Sequence, residues 1–404
     1  MHLSVLTWRR SSLAPLGAAC LTILATVFPA GGPPAMALAA PAVASSSSSP
    51  AAKVGWIQQT EPGLPEWNGG GRAFNTTGGV NVIHRLTAGF WQITFPGLAA
   101  PGGVAEVTGN ITGAGALDNC EAAYWVPSGS DELVGVRCYD ENGNPFDGDF
   151  FASYTADGTG TTAPFAFARA DQPSTTFYRP GLTFQYNSAG SAITVRRTSV
   201  GRYHVAIPNQ PSVAGSDGTV KVTPFGEDGH LCTVVGYGPN PAGSGVRIDA
   251  ACFDSTGSPA DSDFTIVWAR NTSIVGLDAP EWAYGLADQP SNTSVHGYTP
   301  IARDQFDSVD GGPTLGALVG ISSTGVGYDM FLPNEALANV LDGFSHVTAV
   351  GTLPRICNIT DESAANDHTT EIEGVKCIAP GSQSTVTSTY MLDWTTSTGP
   401  APAP

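Results

Sequence analysis

Gly89-Phe90-Trp91-Gln92-Ile93-Thr94-Phe95-Pro96 is written twice more along the chain. It returns as Gly201-Arg202-Tyr203-His204-Val205-Ala206-Ile207-Pro208 and as Gly327-Tyr328-Asp329-Met330-Phe331-Leu332-Pro333. In the first copy Trp91, Ile93 and Phe95 alternate with polar neighbours, the period of a half-buried strand and not of a helix. The three prolines are 112 and 125 residues apart, and Cys120, Cys232 and Cys357 keep the same steps. Ala170-Asp171-Gln172-Pro173-Ser174 also recurs verbatim as Ala287-Asp288-Gln289-Pro290-Ser291. Coincident steps of this kind mark a tandem repeat.

The middle copy reads as eight short strands, near 165–169, 183–187, 192–197, 201–207, 219–224, 231–237, 246–253 and 263–269. Gly, Pro, Asn and Asp separate them, and no segment carries a capped helical stripe. That density of strands and turns predicts an all-β chain of three tandem antiparallel β-sandwich domains, jelly-roll or Ig-like, of about 110 residues each. A propeller would repeat at about 40–50 residues. The expected organisation is a string of beads: repeat 1 over 54–160, repeat 2 over 161–278, repeat 3 over 279–396, and a loose tail at 397–404.

Composition narrows the function. Of 404 residues only 13% are charged, the formal net charge is −18, and three lysines occur, Lys53, Lys221 and Lys376. A nucleic-acid partner needs basic stripes to neutralise phosphates, and none is present. Arg9 and Arg10 precede an apolar stretch from Leu13 to Phe28, and Ala37-Leu38-Ala39 and Ala42-Val43-Ala44 follow with small residues. That order reads as a signal peptide over 1–44, followed by a Ser-rich linker over 45–53. No later stretch is long and apolar enough to span a bilayer, so the expected product is secreted and extracellular.

Setting aside Cys20 in the leader, six cysteines remain, two per unit, separated by 18, 20 and 20 residues. Each pair brackets a turn near Gly129, Ala242 or Asp367. Folding the flanking strands about that turn places Cys120 opposite Cys138, Cys232 opposite Cys252, and Cys357 opposite Cys377. Alternation puts Cys138 on the face of Val134 and Val136, so the bridges are expected to point inward. In an oxidising compartment each closes a loop worth about 3 kcal/mol in the chain-entropy model.

Chemistry-bearing motifs are few, and no catalytic residue can be assigned. Asp140-Glu141-Asn142-Gly143-Asn144-Pro145-Phe146-Asp147-Gly148-Asp149-Phe150 has a second copy from Asp254 to Phe264, with Asp261 and Asp263 in register. D-x-x-G-x-P reads first as a tight turn, with Asp capping and Gly at positive φ. The alternative is a calcium loop using Asp140, Asn142, Asp147, Asp149, Asp254, Asp261 and Asp263, although Gly143 lies too early for an EF-hand and its bidentate Glu is missing. Apart from calcium no cofactor is expected. Histidines 84, 204, 230, 296, 346 and 368 are scattered singly, and no H-E-x-x-H or G-x-S-x-G is present. Five N-x-S/T triplets occur, at Asn75, Asn110, Asn271, Asn292 and Asn358. Trp125 and Tyr237, each five residues after the first cysteine of its unit, are the candidate sugar-stacking rings. Their competing role is to cover the disulfide and fill the core; Glu362 holds the position in the third unit.

The run G-x-[WY]-x-[IV]-x-F-P, followed by Val220-Lys221-Val222-Thr223 and by C-F-D-x-x-G-x-P-x-D-S-x-F from Cys252 to Phe264, resembles repeat-built secreted proteins of actinomycetes and related bacteria. The resemblance spans almost all of the chain after the leader and is clearest in the second unit. It implies fold and compartment and brings no catalytic residues with it. The expected function is a secreted, non-catalytic extracellular repeat protein. It would be an adhesive, carbohydrate-binding or structural module array, with a polysaccharide or cell-surface component as partner. The alternative is a secreted hydrolase with a carboxylate site in the divergent third unit, where Asp304, Asp307 and Asp310 fall.

Overall fold

The computed structural model describes residues 52–111, 117–156, 160–211, 218–277, 281–292, 298–308, 318–321, 327–333, 343–364 and 370–396. Residues 1–44, expected to be a signal peptide, most of the Ser-rich linker, Asp310, His296, Asp367, His368 and the tail lie outside them. Described strands of the first unit are β1 (Val54–Gln59), β2 (Glu66–Trp67), β3 (Ala73–Asn75), β4 (Val82–Thr87), β5 (Phe90–Phe95), β6 (Gly103–Asn110), β7 (Asn119–Ser128), β8 (Asp131–Tyr139) and β9 (Asp149–Ala156). The second unit contributes β10 (Phe165–Ala170), β11 (Phe177–Tyr178), β12 (Gln185–Asn187), β13 (Thr194–Ser199), β14 (Arg202–Ile207), β15 (Thr219–Phe225), β16 (Leu231–Pro239), β17 (Val246–Phe253) and β18 (Asp263–Ala269). In the third are β19 (Trp282–Ala287), β20 (Gln305–Asp307), β21 (Leu318–Ile321), β22 (Tyr328–Pro333), β23 (Gly343–Val350), β24 (Ile356–Ala364), β25 (Thr370–Ile378) and β26 (Thr389–Thr396). The fold is all-β and built of sandwiches, and all eight strands read in the middle unit are present, the second of them shortened by a 3₁₀ turn at Leu182–Phe184.

The quoted run forms β5, β14 and β22, and its alternation does what the period predicts: Trp91, Ile93 and Phe95 are buried while Gln92 and Thr94 are half-buried. Its proline is tied down from a neighbouring turn. Asn75 Nδ2 donates to Pro96 O at 3.0 Å, and Asn187 Nδ2 to Pro208 O at 3.0 Å. The recurrent Asp-Gln-Pro-Ser segment is held by tyrosines. Gln172 N donates to Tyr178 Oη at 3.2 Å and Gln289 N to Tyr298 Oη at 2.9 Å, while the Pro173 and Pro290 carbonyls accept from Tyr203 and Tyr328.

The units are not separate beads. Three sheets run in the orders β21-β22-β25-β24-β6-β9-β1-β3, β12-β10-β18-β15-β7-β8-β5-β4-β2 and β11-β13-β14-β17-β16-β23-β26-β19-β20. Each therefore joins half of one unit to half of the next. The joints are parallel pairings, Ala122 with Phe225, Val234 with Val350, and Ile359 with Asn110. First joins second, second joins third, and third joins first, so the succession closes into a ring. Parallel pairing suits strands covered on both faces, and each joint removes two exposed sheet edges.

Every unit thus has an outer half-sheet and an inner one (β3-β1-β9-β6 in the first). The inner halves turn one face to their own core and the other to the ring's centre. All eight residues of β6 and of β9 are buried, and β15, β18, β23 and β26 are nearly so. Cores local to the first and second units surround Trp91 and Tyr203. A third cluster draws Trp56 and Phe151 from the first unit, Phe165 and Phe167 from the second, and Phe344 and Trp394 from the third. Trp56 stacks on Phe344 at 5.3 Å, and Phe151 meets the same ring edge-on at 5.6 Å.

Candidate functional site

Counting back from the three joints, Asn110, Phe225 and Val350 occupy one place, so Glu106, Lys221 and His346 share another. An acid, an amine and an imidazole stand where a symmetric ring would carry one residue type. All three are buried, His346 completely. Two residues further on, each strand has a threonine: Thr108, Thr223 and Thr348. These hydroxyls stitch the units in rotation. Val107 N donates to Thr223 Oγ1 at 3.1 Å, Val222 N to Thr348 Oγ1 at 3.3 Å, and Val347 N to Thr108 Oγ1 at 3.3 Å.

The charged groups complete the net. Lys221 Nζ donates to Thr108 Oγ1 at 2.7 Å and to Val347 O at 2.8 Å, linking the second unit to the other two. Thr223 donates to Glu106 Oε2 at 2.5 Å. His346 sits with Nδ1 2.8 Å from Thr108 Oγ1 and Nε2 3.0 Å from Ser153 Oγ. Because Thr108 Oγ1 already accepts from Lys221 and Val347 N, its own proton is directed to Nδ1. That leaves the histidine neutral and donating from Nε2. Burial and the Lys221 charge hold His346 well below the usual imidazole range. Burial likewise pushes Glu106 up and Lys221 down, each opposed by the other's charge. Asp393, directly opposite His346 on β26, is raised to about 7, chiefly by burial.

On the Thr108 side of this layer lies a small polar cavity of about 40 Å³, touched by Thr108, Thr348, Lys221, Asn119, Asp118 and Arg355. Buried Asp118 accepts from Asn358 Nδ2 at 2.7 Å, and burial and Asp149 together raise its carboxyl well above the ordinary range. Among the described residues one group offers three candidate metal-ligand atoms within 4.8 Å, Asp118 with Cys120 and Cys138. Both sulfurs are already joined to each other.

The disulfides are 120–138, 232–252 and 357–377, with Cα separations of 4.1, 4.1 and 4.0 Å, each between residues directly opposite on paired strands. The acids of the two repeated loops go to separate partners. Asp140 Oδ1 accepts from Asn142 N and Asn144 N, and Asp254 Oδ1 from Thr256 N and Ser258 N, with Gly143 and Gly257 at φ 81° and 85°. Asp147 pairs with Arg85 and receives Gly89 N at 2.8 Å; Asp261 does the same with Arg197 and Gly201 N at 2.9 Å. Asp263 meets Arg169 at 3.1 Å, Asp149 is buried, and Asn142 donates to Glu141.

Trp125 falls on the joint between the first and second units, and Tyr237 stands on β16, the strand that joins the third. Trp125 packs edge-on against Phe184 and Phe225 of the second unit, and Arg169 lies over the Phe225 ring at 3.6 Å. Tyr237 donates to Gly218 O at 3.2 Å and packs against the core of its own unit. Glu362 at the equivalent place accepts from Gln58 and Arg72 of the first. Of the N-x-S/T triplets, Asn75, Asn110 and Asn358 are buried and Asn271 is exposed. Asp304 and Asp307 of the third unit are buried. The axial set was missed in the sequence because its members are 115 and 125 residues apart. The one available signal was the step of the repeat itself, which lands Lys221 and His346 on the same strand position. No family model, no curated protein and no solved structure matches this chain.

Proposed function

We propose that this protein is a secreted, non-catalytic extracellular module array whose three fused sandwiches present adhesive, carbohydrate-binding or structural surfaces from one rigid ring. The observation that carries the reading is the inward direction of its chemistry: Glu106, Lys221, His346 and Asp393 are buried at the centre and engaged with one another's units. Three disulfides suit an oxidising exterior, and among the described residues no helix is long and apolar enough to cross a membrane. Tandem outer faces raise effective concentration against a repetitive partner such as a polysaccharide. The acidic loops serve this reading as turns, with calcium as an accessory. Incubation with insoluble glycans and with soluble substrate panels tests it: depletion from solution without turnover is expected.

The hydrolase reading has one observation in its favour. Asp329 of the third unit is pushed up to about 6 by burial and by the Asp361 charge, leaving one carboxyl readily protonated beside another. Turnover of any glycan or ester, lost in Asp329→Asn, would replace the first reading with this one.

A further inference from the structure

With His346 neutral, the buried charges at the ring's centre do not balance if Glu106, Lys221 and Asp393 are all ionised. Lys221 and Glu106 act on each other by charge, and whether both are ionised or both neutral their sum is zero. His346 is neutral for the hydrogen-bonding reason given above. Asp393 is what remains. Its strand neighbours are His346 on β23 and Tyr284 on β19, and from β15 it faces Lys221 and Thr219. It is 3% exposed, and its Oδ1 has no hydrogen-bond partner. An ionised carboxylate there is an unbalanced charge in a low-dielectric interior.

We propose that Asp393 is a proton latch on the ring: protonated, it leaves the axial cluster without net charge and the three units held together, and ionised, it loosens them. The position is well placed for this. Asp393 lies on β26, which hydrogen-bonds β23, and β23 carries both the joint to β16 and the Val347–Thr108 stitch to the first unit.

The sign follows from linkage. A carboxyl held near 7 in the folded chain, against about 3.9 when unfolded, contributes stability that is whole below pH 4 and is lost as pH rises to about 7. Neutral His346 acts oppositely below its unfolded value of about 6.5, so the two offset each other in mild acid. The informative quantity is therefore the comparison with Asp393→Asn, which keeps the shape and cannot ionise. Urea titrations of both proteins from pH 4 to 8.5 should show the ratio of their unfolding constants moving in favour of the variant. The shift should be up to about tenfold per pH unit until pH 7 and level thereafter. A ratio independent of pH overturns the proposal. Should the variant not fold, hydrogen exchange of the unaltered protein decides. After correction for intrinsic base catalysis, protection of β6, β15 and β23 should fall between pH 6 and 8 while the outer β5, β14 and β22 hold theirs. A uniform response along the chain would overturn it equally.

Discussion

Lys221 shows how much one side chain can be asked to do. Its ammonium bonds a hydroxyl of the first unit and a carbonyl of the third, and its charge opposes the burial of Glu106 and Asp393. Removing one member of a buried charge set leaves the others uncompensated, at a cost of about 3–5 kcal/mol. Lys221→Met, which keeps the apolar stem, should lower stability by that order in a denaturant titration at pH 8. Adding Glu106→Gln should recover part of the loss. In the sequence Lys221 is one residue of a strand motif, Val220-Lys221-Val222-Thr223. Nothing local distinguishes a lysine facing water from one facing a centre assembled from two distant segments.

Among the elements, the inner and outer strands differ in legibility for a physical reason. β5, β14 and β22 have one covered face, and their period of two is plain. β6 and β9 are covered on both, so alternation no longer separates inside from outside, and nothing in the pattern marks Glu106 or Thr108 as facing the centre. Close approach adds a requirement invisible in the pattern. A Cβ at Gly109, near the end of β6, would overlap Asn358 Nδ2 and Asp118 Oδ1 where the third unit meets the first. Gly109→Ala should therefore lower the denaturant midpoint by the equivalent of about 1–3 kcal/mol, the usual cost of overpacking. The paired-cysteine strands were legible, because a turn midway between two cysteines constrains the register by itself.

For the whole molecule, shared sheets imply shared fate. A string of independent sandwiches would melt in up to three steps, whereas units that complete one another's sheets and bury Phe344 against Trp56 have little stability alone. Differential scanning calorimetry should record one transition, with calorimetric and van't Hoff enthalpies close to equal. Resolved peaks for separate units would contradict the closed ring. The same coupling explains Trp125, whose ring lies against the neighbouring unit at its joint.

Strand content, the sandwich class and the cysteine partners were written locally, because each depends on period, turn chemistry or spacing within about 20 residues. Which strand of one unit pairs with which strand of the next was not, since edge pairing depends on backbone groups that every residue carries alike. Closure of the ring then decided the rest. It placed Glu106, Lys221, His346 and Asp393 around one centre and made a scattered lysine, a lone histidine and two unremarkable acids into a single buried cluster.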